Sequence, residues 1–340
     1  ISCNASGFIP GEKGATRYWV ESLSVLLLNG QLIKAKRGQY ISKKGKFIID
    51  KKEIILPNYK RPKIKNASGP YTADNKEMDF VDLIIGSEGI FGVITEAWVR
   101  LQKPPGFRAS AGVYFEHYDD AWSAAREIVQ AKLWPANLRM LDAIEGKNAA
   151  GMDGTKTLLV IGFESSVIPQ SESLAATLKI AGELGGVVDP DEVVDSEITS
   201  GGAGRQGAVG RWRESFISAP YAMNSTIALG LIHDTFETAV TWDAWPALDA
   251  EVRSAVQSVL NDRCGGGTIS CRFTHVYPDG PAPYYTFIAP GFDGGELEIW
   301  GEVKEAASRS IIKSGGTITH HHAVGKLHRP WYDQQRPDLF

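Results

Sequence analysis

Apolar β-forming residues from Trp19 to Ile33 flank Asn29-Gly30, a dipeptide that accepts positive φ, and this pattern predicts a hairpin. Between residues 81 and 101 a short apolar segment precedes Gly86-Ser87-Glu88-Gly89 and a β-rich run, Phe91 to Leu101, follows it; Lys103-Pro104-Pro105-Gly106 then breaks the pattern. Beyond the break the periodicity alternates. Ala111 to Phe115 is a predicted strand, and Asp119 to Lys132 carries Ala121, Ala125, Ile128 and Val129 at helical spacing. Lys156 to Phe163 is again β-rich, and Ser171 to Leu184 is a second predicted helix with Leu174, Leu178 and Ala181 inward. A helix from about Trp245 to Leu260, strands near Thr268 to Tyr277 and Tyr284 to Ala289, and a helix near Leu297 to Ser314 follow. Gly201 to Gly210 holds five glycines in ten residues and is expected to be a mobile loop. The alternation predicts an α+β fold divided into residues 1–105, 106–319 and a final segment 320–340.

With 340 residues, 43% of them hydrophobic, the chain can bury two cores, and no apolar run approaches the roughly 18 residues that cross a bilayer. A soluble, cytoplasmic protein is the expectation. Cys3, Cys264 and Cys271 are too few and too unevenly placed for a disulfide framework or a structural zinc site. The chain opens at Ile1 and stops at Phe340 after a Pro-Asp turn signal, so both ends are expected to be cut. Its net charge of −4 hides an asymmetry, since residues 1–65 carry 14 Lys or Arg against four acids. Most of that excess lies from Lys34 to Lys65, where Phe47-Ile48-Ile49 and Ile54-Ile55-Leu56 alternate with basic residues. A solvated basic hairpin is the first reading and a surface for a partner or an anionic lipid the second. Aromatic residues are sparse there, only Tyr40, Phe47 and Tyr59, which argues against a nucleic-acid site.

Gly86-Ser87-Glu88-Gly89 with Gly92 is a glycine-dense turn that lets backbone N–H groups approach a phosphate or a ring edge, and by itself it reads more readily as a structural turn. The β-rich run after it excludes a Rossmann fingerprint. Together, GSEGIFGVITEAWVRL (86–101), Asn4-Ala5-Ser6-Gly7, Thr16-Arg17-Tyr18 and Val20 to Gly30 resemble the FAD-binding domain of the vanillyl-alcohol oxidase and para-cresol methylhydroxylase (PCMH) superfamily. The resemblance implies part of a PCMH-type FAD-binding domain followed by an antiparallel-sheet cap (substrate) domain with helices. It implies FAD as cofactor, with Ser6, Gly7, Gly86, Glu88, Gly89 and Ile94 lining the flavin. Lys65-Asn66-Ala67-Ser68-Gly69 resembles the family's Lys-x-x-Ser/Thr-Gly approach to the turn. The family's pyrophosphate loop is expected upstream of Ile1, supplied by a missing segment or a second chain, so this chain alone is expected to bind FAD weakly.

Thr319 to Leu327, THHHAVGKL, places three imidazoles side by side. On a strand His320 and His322 would share one face and His321 the other. Such a run suits metal binding, proton transfer near neutral pH, or a surface role. Gly315-Gly316-x-x-x-His-His-His-x-Val-Gly-Lys-Leu resembles the histidine motif of the alkyldihydroxyacetonephosphate synthases. Asn137-Leu138-Arg139-Met140-Leu141-Asp142, Asp234 to Ala239 with Trp242, and Cys271-Arg272 resemble further segments of that family in the same order; counting on from Arg272 puts its catalytic tyrosine at Tyr284. The resemblance implies an FAD-linked oxidoreductase acting on a small oxygenated substrate, with Arg139, Tyr284, His320, His321 and His322 as catalytic residues. Tyr284, its pKa depressed, and His321 would exchange protons, and Arg139 would hold an anionic group of the substrate or the reduced ring. Otherwise Tyr284 is a half-buried strand aromatic and Arg139 a surface ion pair with Asp142 or Glu145. A homo-oligomer is expected.

The resemblance departs at one point. Met223 stands where the synthases carry the arginine for the substrate phosphate, and a thioether cannot neutralise a dianion. The rival family is the D-2-hydroxyacid dehydrogenases related to lactate and glycolate oxidases. Its metal motif lacks a second histidine after His275 here, and His321 stands where its glutamate would be, so no metal site is expected. A third reading is a non-catalytic subunit of a larger redox complex, docking through Lys34 to Lys65.

Overall fold

The computed structural model describes residues 1–7, 14–49, 51–56, 64, 77–197, 207–292 and 294–335. The chain divides into two compact units, one of residues 1–102 with 317–340, the other of residues 103–316. Tyr59, the Lys65 to Gly69 segment, the glycines at 201, 202 and 204, and the terminal Pro-Asp turn lie outside the described residues.

In the first unit Val20–Leu27 (β1) and Leu32–Lys36 (β2) form the antiparallel hairpin that Asn29-Gly30 predicts, with Leu26 opposite Leu32 and Gly30 at φ 81°. Lys46–Ile49 (β3) and Lys52–Ile55 (β4) make a second, two-stranded hairpin. One face of it is packed rather than solvated, because Phe47 and Ile49 point into the core, where Phe47 meets Phe80 edge-on at 6.0 Å. The apolar segment before the glycine turn is a short helix, Phe80–Ile84 (α1), whose first turn is capped by Asp79 accepting from Val81 N. Gly92–Val99 (β5) then pairs with the far edge of β1, giving the order β2-β1-β5.

The second unit runs Phe107–Phe115 (β6), Tyr118–Gln130 (α2), Asn137–Leu141 (β7), Ala143–Ala150 (α3), Thr157–Ser165 (β8), Ser171–Glu183 (α4), Val187–Val188 (β9), Val194–Glu197 (β10), Gly207–Ala228 (α5), Leu231–Glu237 (β11), Trp245–Cys264 (α6), Thr268–Tyr277 (β12), Gly280–Pro290 (β13) and Glu296–Lys313 (α7). Its strands form an antiparallel sheet of order β10-β6-β8-β7-β12-β13-β11, with β9 also on β6. This is an α+β architecture, as the alternation predicts. Gly207 to Gly210 differs from the expected loop by opening α5. Glu192 explains the change, since its carboxylate accepts from Ala208 N at 3.1 Å, and Gly207 at φ 61° leaves room for it where a Cβ would collide.

Period-two alternation sorts the residues of the sheet. Leu138 and Met140 of β7, Cys271 and Phe273 of β12, Tyr285 and Phe287 of β13 and Phe236 of β11 join the apolar core with α2, α4, α6 and α7. Their neighbours in sequence therefore face the other way: Asn137, Arg139, Ser270, Arg272, Tyr284, Thr235 and Glu237. Polar chemistry thus collects on one face of the sheet.

Candidate functional site

In the first unit, segments far apart in sequence meet at the glycine turn. Gly86 N and Glu88 N donate to the carbonyls of Ile1 and Ser2 at 3.4 and 3.0 Å, fixing the opening segment against the turn. Arg17 is buried beneath them, donating to Asp82 O and Ile85 O at 2.9 and 3.1 Å and pairing with the Asp82 carboxylate. Burial pulls its pKa down and Asp82 opposes that. Gly86 and Gly89 have φ of 85° and 84°, a geometry that favours glycine, and Glu88 sits between them at 51°. The turn is thereby a strained, specified structure.

The Glu88 carboxylate reaches the last segment of the chain. Its two oxygens accept from Val324 N and Gly325 N at 2.7 and 3.1 Å, at the start of Gly325–Gln335 (α8), where backbone N–H groups lack partners of their own. The turn at residues 86–89 and the histidine run are therefore held together within one unit. His320 to His322 lie on bends rather than a strand, so the expected alternation does not hold: successive rings pack edge-on at 5.3 and 4.6 Å. The reason is the tight path from Gly316 into α8, in which Thr319 Oγ1 donates to His322 O at 3.1 Å. His320 is fully buried, and its Nδ1 lies 3.1 Å from that of His321. With both rings neutral, one Nδ1 bears the proton and the other accepts.

These residues fit FAD. The Ser6 hydroxyl is buried without a hydrogen-bond partner, a Cβ at Gly7 would meet no heavy atom within 4 Å, and Gly86 and Gly89 add side-chain-free backbone in the same unit. Three of the expected contacts also have structural work: Gly86 through its N–H to Ile1 O, Glu88 through its carboxylate, and Ile94, which packs partly buried against the core of β1, β2 and α1.

In the second unit the polar face of the sheet carries Arg139 and Tyr284. Arg139 is buried rather than in a surface ion pair. Its Nε donates to Asn137 Oδ1 at 2.9 Å, and its guanidinium lies 5.3 Å from the rings of both Trp212 and Phe216 of α5. The carboxylates that the sequence offered it go elsewhere. Asp142 caps α3 and pairs with Arg253 at 2.8 Å, burial raising its pKa and Arg253 opposing the rise, while Glu145 pairs with Arg272 at 2.6 Å. Tyr284 donates to Thr235 Oγ1 at 2.9 Å, and the Arg272 guanidinium stands over its ring at 4.2 Å. Its pKa is raised, not depressed as the sequence suggested, because burial outweighs the pull of Arg272 and of the hydrogen bond to Thr235. The resting group is a neutral phenol that can give a proton.

Sequence reasoning missed Arg272, Glu145, Phe216 and Thr235 as parts of this cluster. The signal was present at β12, where Ser270, Arg272 and Thr274 alternate with Ile269, Cys271 and Phe273, although the alternation does not say that the polar face is itself buried under α3 and α5. Met223 lies on α5, half-buried, and Thr226 Oγ1 of the same helix meets His233 Nδ1 at 2.7 Å.

A family model described as FAD linked oxidases, C-terminal domain, matches residues 104–339. The chain is 26% identical over 292 residues to an alkyldihydroxyacetonephosphate synthase of Trypanosoma brucei brucei, a match covering 77% of this chain and 44% of that protein. It is 28% identical over 273 residues to one of Caenorhabditis elegans, covering 74% and 45%. It is 25% identical over 337 residues to the glycolate oxidase subunit GlcD of Bacillus subtilis (strain 168), covering 98% and 61%. The chain spans about half the length of the curated relatives it matches. A solved alkyldihydroxyacetonephosphate synthase superposes with a TM-score of 0.63 at 17% identity over 98% of this chain and 55% of the other, which establishes the fold.

Proposed function

We propose, from the premise that this chain belongs to the FAD linked oxidases, that it is part of an FAD-dependent oxidoreductase acting on a small oxygenated substrate. The observation that carries this is the pair of hydrogen bonds that the Glu88 carboxylate accepts from Val324 N and Gly325 N, which ties the glycine turn to the histidine run. Ser6, Gly7, Gly86 and Gly89 would hold FAD, and bound FAD supplies a two-electron acceptor. The chain's own residues supply protons and charge. Tyr284 gives a proton at Oη, with Thr235 as its first hydrogen-bond partner. His321, whose Nδ1 is already coupled to that of His320, moves a proton at the imidazole. Arg139, its guanidinium removed from water beneath Trp212 and Phe216, is the cation for an anionic part of the substrate, where low local polarity strengthens the attraction.

Met223 favours a second reading of the substrate. With no cation at that position, a D-2-hydroxy acid, as the similarity to a glycolate oxidase subunit suggests, asks less of the site than acylated dihydroxyacetone phosphate. Turnover of a panel of D-2-hydroxy acids measured against the acylated phosphate separates the two. Tyr284→Phe is expected to abolish turnover of whichever substrate is active while leaving the visible flavin spectrum intact; full retained activity removes Tyr284 from the reaction.

A further inference from the structure

Tyr284 and Arg272 are directly opposed across the β12–β13 ladder, so the sheet register itself fixes which cation meets the phenol. The guanidinium stands over the ring at 4.2 Å, within the range of a cation–π contact. It does not hold that place alone. Its Nη1 donates to Glu145 Oε1 of α3 at 2.6 Å, and the other carboxylate oxygen, Oε2, accepts at 2.8 Å from the Oγ of Ser270, two residues before Arg272 on the same face of β12. Glu145 and Arg272 are both buried, and Arg272 Nε is buried with no hydrogen-bond partner. The guanidinium is thus anchored at one end by a carboxylate and spends its face on Tyr284 and, at 5.6 Å, on Phe216. A buried cation whose polar edge is left partly unsatisfied is costly to keep.

We infer that Glu145 and Arg272 form a positioning pair for Tyr284, Arg272 setting how readily the phenol releases its proton and Glu145 setting how much of the Arg272 charge the phenol feels. The inference rests on the proposed proton-transfer role of Tyr284. The physical reason is that a cation over the ring attracts the phenolate more than the phenol, whereas a carboxylate beside that cation offsets it. Other charges face Tyr284 as well. Asp234 and Glu237 of β11 both disfavour the phenolate, and Lys304 of α7 is engaged with Asp234 at 3.0 Å. None of them is altered in the test.

The two members of the pair must act in opposite directions, which a merely structural role would not produce. In the full chain labelled with 13Cζ-tyrosine, the Tyr284 signal is identified by its loss in Tyr284→Phe, and its ionisation is followed into the alkaline range. Arg272→Met should delay the onset by about one pH unit or more, and Glu145→Gln should advance it, since a single opposed or removed charge at this range shifts a pKa by about 1–3 units. Arg272→Lys, which keeps the charge, should restore an onset near that of the parent. An unchanged onset in Glu145→Gln, or a shift of the same sign in both neutralised variants, overturns the inference. Should Arg272→Met fail to fold, Arg272→Lys and Glu145→Gln decide the matter between them. Failure of the wider functional reading looks different: a fully active Tyr284→Phe enzyme would dismiss the role of the phenol and leave the titration order intact.

Discussion

Glu88 offers the sharpest test of how the first unit is held together. Glu88→Gln keeps the length of the side chain at a backbone position with φ 51°, removes the charge and replaces one of the two accepting oxygens with an NH2 group that cannot accept. Hydrogen bonds to an ionised acceptor contribute about 1.5–3 kcal/mol and neutral ones about 0.5–1.5, so the surviving bond weakens by roughly 1 kcal/mol and the other is lost. The site is half-buried, which puts the combined loss at about 1–2 kcal/mol, including the weakened interaction with the start of α8. That loss is local, because Glu88 contacts the 324–325 backbone and not the sheet. Hydrogen–deuterium exchange should therefore speed up by about 5–30-fold in peptides covering 318–335, with peptides from β12 and β13 unchanged. Flavin affinity should fall with it if the histidine run helps to hold the ring. Unaltered protection in 318–335, or an equal rise throughout the chain, refutes the clasp.

Two further outcomes follow from the packing. Gly92→Ala would drive a Cβ into the Leu26 carbonyl on β1, a backbone atom that cannot yield, so a loss of about 1–3 kcal/mol is expected in a denaturant titration that reports on the β2-β1-β5 sheet. Asp234 accepts from Trp300 Nε1 at 2.7 Å and from Lys304 Nζ at 3.0 Å; burial works to raise its pKa, but these partners overcome it and hold the group below the usual carboxylate value. A depressed folded pKa gives stability that is present above the unfolded value near about 4 and is lost as pH falls through the folded one. The stability gap between the parent and Asp234→Asn should thus stay constant above about pH 5 and close under more acidic conditions, and a gap that widens on acidification contradicts the assignment.

The sequence by itself determined the elements and their class. Asn29-Gly30 specified the first hairpin, period-two and helical spacings specified α2, α4, α6, α7 and β12 to within a few residues, and their alternation specified α+β. Motif order marked the glycine turn, the histidine run and the arginine and tyrosine segments as chemically unusual. What it did not determine was partnership. Arg139 stood three residues from Asp142 and six from Glu145, yet those carboxylates belong to Arg253 and Arg272, which lie more than a hundred residues away and arrive through the sheet. The histidine run read as an alternating strand because nothing local shows that Glu88, some 236 positions earlier, receives the backbone just beyond it and bends the path. Gly207 to Gly210 read as a loop because the carboxylate that caps α5 comes from Glu192, and the depressed pKa expected of Tyr284 inverted because burial is a property of the assembled sheet. Local propensity acts between near neighbours in the chain and leaves a period that can be counted. Burial, charge pairing and capping act between surfaces brought together by the topology, and the alternation along a strand gives its two faces without saying what covers either of them.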